Sequence, residues 1–87
     1  MQNFQFTVNG ILSMPKESLD PSEKLVMIQF VNYKHLGVNE INQSLGYQQL
    51  GYSRQGWRKV TARLMDKGFI VGAKRRGYYK LNETNIF

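Results

Sequence analysis

Eighty-seven residues suffice for one small domain with a modest core. Hydrophobic residues at 41% and eleven aromatics exclude a disordered chain, and the absence of cysteine excludes disulfides and thiolate metal sites. Nine of the twelve basic residues lie between Arg54 and Lys80 beside a single acid, Asp66, so the overall +6 divides into +8 there and −2 elsewhere. Such a concentration points to the phosphate backbone of nucleic acid.

In chain order, Phe4, Phe6 and Val8 alternate with Gln5 and Thr7, which predicts a half-buried strand closed by a turn at Asn9-Gly10. Ile11 to Leu19 contains Pro15 and reads as an irregular arm or a short helical turn. Asp20-Pro21-Ser22-Glu23 starts a helix, with Asp20 as cap, Pro21 at the first helical position and Glu23 completing a capping box. Leu25, Val26, Ile28, Val31 and Leu36, widened by Met27, Phe30 and Tyr33, make this the expected central helix, ending near Gly37. Asn39 is expected to cap a second helix in which Ile41 and Leu45 share a face. Its end has two candidates, Leu45-Gly46 and Leu50-Gly51, because Gln43 to Tyr47 is echoed by Gln48 to Tyr52. The spacing from Ile41 to Leu45 favours the first, leaving a long turn from Gly46 to Tyr52.

Ser53 is expected to cap a third helix running to about Lys67, with Trp57, Val60, Thr61 and Leu64 as its core-facing stripe. At 100° per residue the opposite face collects Gln55, Arg58, Lys59 and Ala62, flanked by Arg54 and Arg63. Phe69 to Val71 and Tyr78 to Leu81 read as strands of a hairpin whose tip carries Lys74, Arg75 and Arg76. The predicted class is α+β, mainly α: an N-terminal strand and arm over 1–18, three helices and a hairpin over 19–82, and a tail over 83–87.

The run from Ser53 to Ile70 resembles the recognition-helix signature of winged helix-turn-helix proteins: Ser53-Arg54 opens it, Leu64 follows eleven residues after the serine, and Asp66-Lys67-Gly68-Phe69-Ile70 closes it. Leu19 to Val26 is similar to the first-helix start of winged-helix domains in phage and plasmid replication proteins. The resemblance covers residues 19–82. It implies a winged helix-turn-helix fold of a kind shared by MarR-type repressors, replication initiators and some protein-interaction modules. The sequence departs from the pattern in its longer turn, and in Gly56 and Trp57, where many members have Thr and a β-branched residue.

On that frame the expected DNA-binding residues are Ser53, Arg54, Gln55, Arg58, Lys59, Arg63, Lys74, Arg75 and Arg76. The third helix would enter the major groove, with Arg58 gripping guanine and Gln55 reading adenine. The hairpin tip would reach the backbone or minor groove, and the Ser53 hydroxyl a phosphate. Tyr47 and Tyr52 are expected to donate to phosphate, Trp57 to be core, and one of Tyr78 and Tyr79 to be exposed. The expected partner is double-stranded DNA, with a homodimer where the site is palindromic, formed through Phe4 to Val8 or Ile86-Phe87. The expected role is regulation of transcription or replication; the alternative is a module that binds a protein of a replication or transcription complex. No cofactor, metal or small-molecule ligand is expected, since His35 stands alone and Gly46-x4-Gly51 is followed by Tyr-Ser rather than a phosphate-loop lysine. One histidine and six scattered acids offer no catalytic set. The Leu25–Val31 run falls short of the roughly 20 residues of a membrane span, and the first residues lack a signal-peptide pattern. Cytoplasmic location, nucleoid-associated or in a host if phage-encoded, is the expectation.

Overall fold

Thr7 opens the first helix, α1 (Val8–Ser13), its hydroxyl oxygen accepting from the Gly10 N–H at 3.0 Å. These contacts come from a computed structural model, which describes residues 7–82. The strand expected over Phe4 to Val8 therefore lies largely outside the described residues, but Val8, Asn9 and Gly10 are helical rather than strand and turn. The Thr7 cap and the burial of Ile11 override the local alternation. Pro15 ends α1 by forcing Met14 into extended backbone (φ −66°, ψ 140°).

Helix α2 (Pro21–His35) starts as its capping box dictates. Asp20 Oδ1 accepts from the Glu23 N–H at 2.8 Å, and Glu23 Oε1 accepts from the Asp20 N–H at 3.0 Å. Its buried face is Glu23, Val26, Met27, Phe30 and Val31, together with Gln29. Leu25 and Leu36, expected in the apolar face, are 41% and 69% exposed. Gly37, at φ 85°, follows the Leu36 cap and turns the chain away.

The second of the three expected helices departs from expectation. Ile41-Asn42 forms a two-residue strand, β1, and Asn42 rather than Asn39 caps α3 (Gln43–Leu50) by accepting from the Ser44 N–H at 2.8 Å. Gly51 closes it in the left-handed conformation (φ 70°), and the Tyr52 N–H reaches back to the Tyr47 carbonyl at 2.9 Å. Leu50-Gly51 is thus the true end, and Gly46 lies buried in mid-helix. The expected long turn shrinks to Gly51-Tyr52-Ser53, within the usual range for two helices joined at an angle.

Ser53 caps α4 (Arg54–Asp66), accepting from the Gly56 N–H at 3.0 Å, and its buried stripe is Trp57, Val60, Thr61 and Leu64, as the spacing predicts. Strands β2 (Ile70–Gly72) and β3 (Tyr78–Leu81) pair antiparallel with Ile70 opposite Leu81. β3 also pairs with β1, Ile41 opposite Tyr79, giving a sheet in the order β1-β3-β2. The described chain is α+β and mainly helical, with four helices and one antiparallel sheet of three strands. Its core centres on Trp57, which stacks on Phe30 (centroids 6.2 Å apart) and meets Tyr79 edge-on at 5.7 Å. Ile11, fully buried in that core, ties α1 into it.

Candidate functional site

Helix α4 divides its residues cleanly because its apolar stripe repeats at helical spacing. With Trp57, Val60, Thr61 and Leu64 turned inward, Gln55, Arg58, Lys59 and Ala62 line a shallow, open surface on the outward side. Arg54 is also exposed, in the first turn. The expected reading face is therefore one continuous surface. Gly56 makes room at its start: a Cβ there would lie 3.0 Å from Ser53 Oγ, the atom that caps the helix.

Arg63 belongs elsewhere. Its Nε donates to Glu23 Oε2 at 3.1 Å, and its guanidinium lies 3.6 Å from Asp20 Oδ2. Lys67 completes the cluster, its Nζ donating to Glu23 Oε1 at 2.6 Å and to the Ser18 carbonyl at 2.8 Å. These two cations hold the second half of α4 against the start of α2. The Glu23 carboxylate is wholly buried. Burial opposes its charge, yet hydrogen bonds from Lys67, the Asp20 backbone and Arg63, with the Lys67 charge, outweigh that and hold its pKa below the ordinary value of 4.5.

The hairpin tip carries Lys74, Arg75 and Arg76, all exposed. Gly77 takes φ 81°, which lets the chain turn into β3, and its carbonyl accepts from the Gln43 N–H at 2.9 Å, tying the tip to the first residue of α3. The Arg75 guanidinium carbon lies 3.9 Å from the centroid of the Tyr78 ring, a cation–π contact that orders this side chain. Tyr78 and Tyr79 are both half-buried, against the expectation that one would be exposed: Tyr78 lies beneath Arg75, and Tyr79 packs on Trp57. Tyr47 lies within α3 rather than on a turn, and both it and Tyr52 pack against the core.

The spacing rules passed over a buried polar junction behind this face. Gln29 Oε1 accepts from Trp57 Nε1 at 3.1 Å, while Gln29 Nε2 donates to the Gly46 carbonyl at 3.0 Å and to Gln49 Oε1 at 2.7 Å. The one signal for it in the sequence is Gln29 itself, the polar residue interrupting the apolar run Leu25–Val31.

Among the described residues no helix is long and apolar enough to cross a membrane. Comparison of the chain with protein-family models, with curated proteins and with solved structures found no match in any of the three.

Proposed function

We propose that this chain is a winged-helix protein that binds double-stranded DNA and acts in transcriptional regulation or replication. Helix α4 lies in the major groove, and the β2–β3 hairpin is the wing on the adjacent backbone or minor groove. The observation that carries the reading is the continuous outward face of Gln55, Arg58 and Lys59 on a helix reached through a three-residue turn. A helix of this diameter fits the major groove, where Arg58 meets guanine O6 and N7 and Gln55 meets adenine. Arg54, Lys59, Lys74, Arg75 and Arg76 supply the sequence-independent attraction to phosphate. A palindromic target takes two copies of the chain, one on each half-site.

Titration of a labelled duplex at increasing salt tests this. Each phosphate neutralised adds about 0.9 to the slope of log K against log salt, so these five cations set a ceiling of about 4.5. The expected slope lies between about −2 and −4.5. A flat response, or no duplex binding at low salt with saturable binding to an acidic protein, overturns the reading in favour of a protein-interaction module.

A further inference from the structure

We infer that Gln29 is a positioning residue that sets the orientation in which α4 presents Gln55 and Arg58; this rests on the proposed duplex-reading role of α4. Gln29 is 5% exposed and sits on α2, yet its amide binds both other helices of the junction. Its oxygen takes the only polar hydrogen of the Trp57 indole, and its nitrogen gives its two hydrogens to the Gly46 carbonyl and the Gln49 side chain. The amide has one workable orientation. Flipped, it would set NH2 against the indole N–H and oxygen against two acceptors.

Trp57 lies between Gln55 and Arg58 in sequence and is buried where they line the outer surface, so a roll of α4 that shifts the indole carries both with it. A roll of about 20° moves a side-chain end at a radius of roughly 5–6 Å by about 2 Å, enough to lose a bidentate contact. Packing limits one direction of that roll. Gly46 presses its backbone on the indole so closely that a Cβ would stand 2.3 Å from Trp57 Cζ2. Phe30 stacks on the indole and Tyr79 meets it edge-on, and the hydrogen bond from Nε1 to Gln29 adds the directional restraint that apolar ring contacts lack. A buried amide of this kind is costly unless every group is satisfied, as it is here, and its return is a single geometry.

The test compares wild type, Gln29→Met and Gln49→Ala, each checked for folding by circular dichroism. Affinities are measured at fixed salt for a duplex selected by the wild type from a random pool and for a scrambled duplex. Gln29→Met keeps the volume and removes all three bonds. The expected result is a loss of about tenfold or more in the selected-to-scrambled affinity ratio, with scrambled affinity and salt slope unchanged. Gln49→Ala, at an exposed position that removes one acceptor only, is expected to lower the ratio by a few-fold and keeps the test informative if Gln29→Met does not fold. An unchanged ratio in the folded variants overturns the positioning role while leaving duplex binding intact. A wild type that selects no duplex overturns the DNA reading itself, and the positioning role with it.

Discussion

Gly46 shows how much one missing side chain can decide. Helix propensity alone favours alanine in mid-helix by about 1 kcal/mol over glycine. A Cβ at this position would stand 2.3 and 2.5 Å from two atoms of the Trp57 indole, which Phe30 and Tyr79 hold from other sides. Overpacking of a filled core costs about 1–3 kcal/mol and here exceeds the propensity gain. Gly46→Ala is therefore expected to lower the melting temperature by roughly 5–10 °C, since 1 kcal/mol moves a domain of this size by about 4–8 °C. Gly51→Ala has open space around it but φ 70°, so its cost, about 1 kcal/mol, comes from backbone strain alone. Thermal denaturation of the two variants separates the causes. A Gly46→Ala protein as stable as wild type would mean that the indole has room to move, against the packing described above.

Helix α4 and the β2–β3 hairpin carry different parts of the proposed binding, and substitutions should separate them. Arg58→Ala is expected to relax sequence preference, at about 1–3 kcal/mol of discrimination, because its contact is to a base edge. Arg75→Ala and Arg76→Ala are expected to weaken all duplexes about equally and to reduce the salt slope by about 1 each. Affinities for a panel of single-base-pair variants of the selected duplex, measured at several salt concentrations, check both; preference unchanged in Arg58→Ala removes its reading role. How far these elements were legible in the sequence follows from the range of the forces that set them. The Asp20-Glu23 capping box, the Ser53 cap and the Trp57–Leu64 stripe obey rules acting within a few turns of helix, and the sequence spacing predicts them correctly. The end of α3 does not obey such a rule. Two Leu-Gly pairs compete locally, and the structure favours the second because a residue without a side chain is needed against Trp57 and Gly51 takes the left-handed cap. β1 was invisible for the same reason, since two residues show no alternation and pair with β3 nearly forty positions away. On the candidate site, the outward face of α4 was readable from the helical angle. The tie between Arg63 and Glu23 was not, because it joins residues forty positions apart.

At the scale of the whole molecule, stability should depend on pH through Glu23. Its carboxylate joins the start of α2 to the last turns of α4, and its folded-state pKa lies below the ordinary 4.5. The unfolded chain therefore takes up this proton first as pH falls. The stabilisation is complete above the ordinary glutamate range and is lost as pH drops through that range towards the folded value. Arg63 and Lys67 keep 47% and 34% of their side-chain exposure, so removing the carboxylate leaves both cations able to reach water. That places the cost of Glu23→Gln at neutral pH at about 1–3 kcal/mol, below the figure for breaking a fully buried pair. Urea unfolding of wild type and Glu23→Gln from neutral pH to about pH 3 is the measurement, pH 3 being below the ordinary glutamate range. Wild type is expected to be the more stable at neutral pH and to lose that advantage on acidification, so that the two curves converge. Loss of negative charge elsewhere in a chain already at +6 lowers both curves together and leaves their difference to Glu23. Curves that run parallel at every pH would show that Glu23 acts through its packing and not through its charge.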